Sequence, residues 1–204
     1  MPEIDCQKDR MFDAASWTKA AEGLIASASL LDSGASKYWD SKGTDKQEGE
    51  SHLKTQLMLA GFALENIFKA LIVQDQRDSL ESEYSSNGKL PNVLKNHNLI
   101  DLAKQALLTL GDDGTKGLLG RLMRHSIWAG RYPVPIRSDD LPAEDFFNLK
   151  SPSLVCVAAY IKQDWENTLR LFSLAKQILE RRQKAQHGDP PNTHSPSAQG
   201  VGGR

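Results

Sequence analysis

The segment Gly61–Val73, with the sequence GFALENIFKALIV, constrains the fold more than any other part of this chain. Together with the residues before it, it repeats apolar side chains every three or four positions, at Leu53, Leu57, Ala60, Leu64, Ile67 and Leu71. This spacing predicts an amphipathic helix with one buried face. Glu65 and Lys69 lie one turn apart beside that face, so we expect an ion pair along the helix. Such a pair either flanks the core, where it contributes roughly a few tenths of a kcal/mol, or belongs to a polar cluster held beside the core.

Breaker-rich stretches divide the rest of the chain into further helical segments. The central helix is predicted over about Ser51–Gln74, with a continuation to Tyr84, and four others over about Asp13–Trp39, Asn98–Leu110, Lys116–Trp128 and Ser153–Ala185. Polar connections that contain glycine or proline are predicted at Asp40–Glu50, Ser85–Pro91 and Gly130–Pro152. Because no segment alternates as a strand would, we predict an all-α fold, an up-and-down four- or five-helix bundle over residues 1–186. Residues 187–204, rich in Pro, Gly and Ser, are predicted to form a disordered tail.

Charge and composition exclude several classes of protein. The chain carries 25 Lys and Arg against 26 Asp and Glu, so no global positive field drives nonspecific binding to nucleic acid, although a local basic patch is compatible with this balance. The cysteines, Cys6 and Cys156, are too few for a disulfide framework or a structural zinc site. No metal-ligand or phosphate-loop motif is present, so we predict no metal and no cofactor. The polar N-terminus and the short apolar runs predict a cytoplasmic protein without a membrane segment.

Candidate functional side chains lie at three places. His97, in LKNHNLIDL, precedes a predicted helix, where an imidazole can cap the helix or bond to a neighbouring acid. Arg121 and His125 lie one turn apart, so both could meet an RNA phosphate and support acid–base cleavage at the 2′-hydroxyl; the alternative is a chance pair on a helix face. In WAGRYPVP, Arg131 and Tyr132 follow a glycine break. There Tyr132 is expected to pack over the bundle end, and Arg131 to meet an acid on the central helix or a ligand phosphate.

Several of these motifs occur in a familiar order. They are A-x-E-x-x-x-K-A-L at Ala63, Glu65, Lys69, Ala70 and Leu71, H-x-L at His97 and Leu99, R-Y-P at Arg131–Pro133, and the long last helix. In order and spacing, over Ala14–Arg182, the chain resembles the HEPN superfamily of small helical bundles. The resemblance implies a four- or five-helix bundle, often a homodimer, that is tied to RNA. It also implies that Glu65, Lys69, His97 and Arg131 form a noncatalytic framework between helices and a loop.

The resemblance leaves three functions open. Active HEPN members are metal-independent ribonucleases of toxin–antitoxin, phage-defence or RNA-processing systems, with a signature of Arg, about four to six residues, then His. Here only three residues separate Arg121 from His125, and no His follows within seven residues of Arg131. We therefore expect a HEPN-like module that binds RNA, a nucleotide or a partner protein such as a nucleotidyltransferase. The alternatives are an active ribonuclease that uses Arg121 and His125, and a structural subunit of a larger assembly.

Overall fold

The computed structural model describes residues 8–109, 113–129 and 161–186. The helices are α1 Ala14–Ser29, α2 Asp32–Asp40, α3 Gly43–Asn87, α4 Asn92–Lys95, α5 Leu99–Gln105, α6 Asp113–Arg124 and α7 Asp164–Gln186, and a π-helical turn, His125–Ala129, follows α6. No strand occurs in the three described ranges. The prediction of an all-α helical bundle is therefore confirmed.

Helix α3 forms the centre of the bundle. Helices α1, α2, α5, α6 and α7 and the π-helical turn all pack against it. Its predicted apolar face is confirmed, since Leu57, Ala60, Leu64, Ile67 and Leu71 are each at most 1% exposed. Burial also continues round the helix between Gly61 and Val73, where only Phe62 and Asn66 are partly exposed. Because neighbours cover α3 from several sides, side chains that flank the apolar stripe are buried as well.

Helix α3 is long, with 45 residues, and it bends at Gln76, whose φ of −123° and ψ of 17° are not helical. By length and composition alone it contains a window apolar enough to cross a membrane, yet 78% of that window is buried inside the protein. This is the burial expected of the core helix of a bundle.

The connection predicted at Asp40–Glu50 is wrong, because α3 already begins at Gly43. One of the two glycines in this polar stretch, Gly49, lies instead where α3 crosses α2. A Cβ there would overlap the backbone nitrogen of Tyr38 and lie 2.8 Å from the carbonyl carbon of Lys37. The absence of a side chain thus lets the two helices approach closely, an effect of packing that local composition does not reveal.

The first predicted helix is divided in two. The chain turns at Leu30, at the end of α1, rather than at Gly34, which lies within α2. Gln56 of α3, which is 1% exposed, bridges the break: its Nε2 donates to the Ala28 carbonyl at 3.4 Å and to Asp32 Oδ1 at 3.3 Å. A side chain of the central helix therefore links α1 to α2 at the point where the helical hydrogen-bond pattern of the backbone is interrupted.

The π-helical turn lies directly against α3. A Cβ on Gly61 would overlap the hydroxyl of Ser126 and lie 2.9 Å from the carbonyl oxygen of Leu122. Gly61 therefore permits a close contact between α3 and the end of α6. This contact fixes how His125, the first residue of the turn, is placed relative to the core.

Some predicted segments lie outside the described residues. The start of the last helix, predicted at Ser153, the tail at 187–204 and the connection with Arg131 and Tyr132 all belong to this group. The start predicted near Asn98 for the third helix is confirmed: Asn98 Oδ1 accepts from the backbone nitrogens of Ile100 at 3.0 Å and Asp101 at 3.1 Å, as an N-cap residue does.

Candidate functional site

Glu65 and Lys69 form a buried ion pair on α3. Lys69 Nζ lies 2.6 Å from Glu65 Oε1, and the two side chains are 3% and 10% exposed, respectively. Lys69 Nζ also lies 5.5 Å from the centre of the Trp17 ring of α1, within range of a cation–π interaction. Of the two interpretations offered by the sequence, a surface flank pair and a polar cluster beside the core, the geometry supports the polar cluster.

His97 completes this cluster from a distant part of the chain. Its Nδ1 lies 2.9 Å from Glu65 Oε1 and 3.0 Å from Oε2, across a sequence separation of 32 residues. The neighbouring Asn98 caps α5, so the residue before the helix is held at a defined place. The His97 side chain is 66% exposed. The polar cluster, Lys69–Glu65–His97, therefore runs from the core to the surface.

The cluster has a defined hydrogen-bond polarity. A carboxylate only accepts hydrogen bonds, so Nδ1 of His97 carries a proton and donates a hydrogen bond to Glu65. In the neutral imidazole this leaves Nε2 as an acceptor. The hydrogen bond that one ring nitrogen makes thus decides what the other nitrogen offers to a ligand.

Arg121 is held by a partner that the sequence analysis did not identify. Its Nε donates to Asp164 Oδ2 at 2.7 Å and its Nη2 donates to Oδ1 at 2.5 Å. The Arg121 side chain is 15% exposed and that of Asp164 is 2% exposed. This bidentate geometry is the strongest form of an Arg–carboxylate contact, and it joins α6 to the start of α7. Asp164 lies 43 residues further along the chain, and no local pattern could have paired the two.

His125 is buried, with 1% of its surface exposed. Burial, with smaller contributions from the positive charges of Arg124 and Lys54, lowers the pKa of His125 from 6.5 to about 4. Its imidazole is therefore neutral at pH 7. Removal from water disfavours the charged form, and nearby cations add to the same effect.

Arg121 and His125 face different surroundings within one chain. Arg121 lines a groove of about 550 Å³ between α6 and α7, together with Leu118, Leu171 and Leu174. His125 does not line this groove and lies in the turn that packs on α3. The predicted catalytic pair is thus not presented together on one open surface of the single chain.

Arg131 and Tyr132 lie outside the described residues. Within the described ranges, no group of three or more His, Cys, Asp or Glu side chains could hold a metal ion.

No family model matches the chain, and neither a curated protein nor a solved structure shows significant similarity to it. The HEPN resemblance therefore rests on the order of the sequence motifs.

Proposed function

We propose that this protein is a HEPN-like helical module that binds RNA or a nucleotide, and that Arg121 and His125 are structural residues and not a catalytic pair. The observation that carries the proposal is that Arg121 is bound by a carboxylate and His125 is buried. Both the Nε and the Nη2 of Arg121 are bonded to Asp164, and His125 is 1% exposed. The motif order that resembles HEPN supports the link to RNA.

The chemical requirements of RNA cleavage explain why the positions of Arg121 and His125 favour a binding role over a catalytic one. A general base must come within hydrogen-bond distance of the 2′-hydroxyl, directly or through one water molecule. A buried imidazole cannot do so unless the surrounding helices separate. Likewise, the Nε–Nη2 edge of Arg121 already binds Asp164, and only 15% of the Arg121 side chain is exposed to meet a phosphate. A binding module does not require either side chain to reach the RNA.

The same proposal includes the cellular setting that the resemblance implies. The protein acts in the cytoplasm, within a prokaryotic defence, toxin–antitoxin or RNA-processing system, and pairs with a second copy of itself. A nucleotidyltransferase-type protein is the alternative binding partner, and a structural subunit of a larger assembly is the alternative role.

Two measurements on one preparation test the proposal. Fluorescence anisotropy with a labelled single-stranded RNA measures binding at two salt concentrations, and gel analysis of the same mixture in EDTA measures cleavage. We expect salt-dependent binding and intact RNA. Cleavage by the wild type that His125→Asn abolishes, with the fold of the variant verified by circular dichroism, would establish the ribonuclease alternative. If the protein binds neither RNA nor nucleotides, the proposal is wrong, and co-purification of a partner protein would then favour the role in an assembly.

A further inference from the structure

His97 combines two properties that a ligand-binding imidazole needs. Its Nδ1 is oriented by both oxygens of Glu65, at 2.9 and 3.0 Å, and two thirds of its side chain is exposed. His125, by contrast, is 1% exposed. The polar cluster therefore presents a fixed imidazole to solvent, whereas His125, the histidine of the predicted catalytic pair, is enclosed.

The cluster also fixes which hydrogen bond His97 can form with a ligand. With the Nδ1 proton donated to Glu65, the neutral ring offers the lone pair of Nε2, so it selects ligands that donate a hydrogen bond. A phosphate diester has only acceptor oxygens, so it cannot form a hydrogen bond with Nε2 of the neutral ring. The donors that remain on a single-stranded RNA are the ribose 2′-hydroxyl and the amino and ring N–H groups of the bases.

The aromatic environment favours the hydroxyl. Recognition of base edges in single-stranded RNA usually relies on stacking of the base on an aromatic ring. The ring that belongs to this cluster, Trp17, already has Lys69 Nζ over it at 5.5 Å. Its Nε1 donates to the carbonyl of Met11 at 2.8 Å, so the indole is fixed within the protein. A base would therefore meet His97 without a stacking partner from the cluster, whereas a 2′-hydroxyl needs none.

We propose that Nε2 of His97 accepts a hydrogen bond from a ribose 2′-hydroxyl, so that the Lys69–Glu65–His97 cluster makes the protein prefer RNA over single-stranded DNA. This inference rests on the proposed function, because it names the contact through which the module recognises RNA. DNA lacks the donor group. A single hydrogen bond to a neutral acceptor corresponds to about a two- to tenfold difference in affinity.

The test compares two labelled oligonucleotides of the same sequence, one of RNA and one of DNA, by fluorescence anisotropy. The wild type is expected to bind RNA more tightly, and His97→Ala is expected to lose about two- to tenfold in RNA affinity with little change for DNA. Lys95→Ala is the matched control, since Lys95 is an exposed cation on the adjoining α4. Loss of a cation that meets phosphate should weaken both complexes by the same factor.

A second variant tests the tautomer. In Glu65→Gln the amide nitrogen can donate to Nδ1, which would move the imidazole proton to Nε2 and turn the acceptor into a donor. The ¹⁵N chemical shifts of the His97 ring should show the exchange, and the preference for RNA should disappear although His97 is still present. If this variant does not fold, the His97→Ala comparison decides.

Each outcome has one meaning. Equal binding of RNA and DNA by the wild type, or an equal loss of both in His97→Ala, would overturn the inference and leave the proposed function standing. If His97→Ala weakens the RNA and DNA complexes equally, and only for some base sequences, His97 reads a base N–H group and the hydroxyl assignment is wrong. Absence of RNA binding by the wild type overturns this inference, and it overturns the proposed function as well only if the protein does not bind nucleotides either.

Discussion

The buried histidine of the π-helical turn predicts a specific dependence of stability on pH. The pKa of His125 is lowered from 6.5 to about 4, mainly because burial removes the imidazole from water. In the unfolded chain the same imidazole is solvated and regains its ordinary pKa. Between these two values the unfolded state binds a proton that the native state does not bind. Stability is therefore lost as the pH falls through this window.

The magnitude follows from the two pKa values. Above the unfolded value both states are neutral at His125, and the residue contributes no pH dependence. At about 1.4 kcal/mol for each tenfold difference in proton affinity, the pKa change from 6.5 to about 4 gives a maximum loss of about 3 kcal/mol. At pH 5, linkage gives a loss of about 2 kcal/mol. Domains are usually stable by only about 5–15 kcal/mol, so this loss is large enough to measure.

Urea unfolding followed by far-ultraviolet circular dichroism provides the assay. The free energy of unfolding is measured between about pH 8 and pH 4 for the wild type and for His125→Asn, which keeps a polar group but does not titrate. The carboxylates titrate in both proteins, so the difference between the two curves isolates the contribution of His125. We expect the wild type to lose about 2 kcal/mol more than the variant by pH 5.

Two results would contradict this reasoning. Parallel curves for the two proteins would mean that His125 has nearly the same proton affinity in the folded and unfolded states, so that it is hydrated in the native protein. A larger loss of stability in His125→Asn than in the wild type as the pH falls would mean that protonated His125 stabilises the fold. Either result would also weaken the argument that His125 is inaccessible to RNA.

Three further predictions concern packing, the interhelical ion pair and backbone strain. Gly61→Ala should destabilise the protein by about 1–3 kcal/mol, because the added methyl group meets the π-helical turn. The control, Gly23→Ala, adds a methyl group with no atom within 4 Å and should stabilise α1 by about 0.5–1 kcal/mol. Equal urea midpoints for the two variants would contradict the close contact at Gly61. Arg121→Ala and Asp164→Ala should each lower the free energy of unfolding by about 3–5 kcal/mol, since each leaves a largely buried charge unpaired. A double-mutant cycle in which the two losses simply add would show that the pair is not coupled. Leu107 is 74% exposed with a φ of 55°, so Leu107→Gly should raise the thermal midpoint through about 1 kcal/mol of relieved strain, and Leu107→Ala should not.

Local patterns in the sequence were sufficient for the all-α class and for the buried face of the central helix. The apolar repeat of α3 determined which face is buried, since residues three and four positions apart share one side of a helix. The sequence also placed the start of α5 near Asn98, because the side chain of Asn96 or Asn98 can satisfy the free backbone N–H groups of the first turn; the structure shows that Asn98 is the cap. The Glu65–Lys69 pair also followed from spacing, but its burial did not, because burial depends on how many neighbours surround α3.

Only the tertiary structure decided the contacts that define the candidate site. His97 meets Glu65 across 32 residues, and Arg121 meets Asp164 across 43 residues. Such contacts depend on which helix faces meet in the folded bundle, and a periodic pattern records only that a face is apolar. The sequence by itself therefore determined the all-α class, the buried face of α3 and one ion pair. The packing of those helices decided that His97 is presented to solvent while His125 is buried.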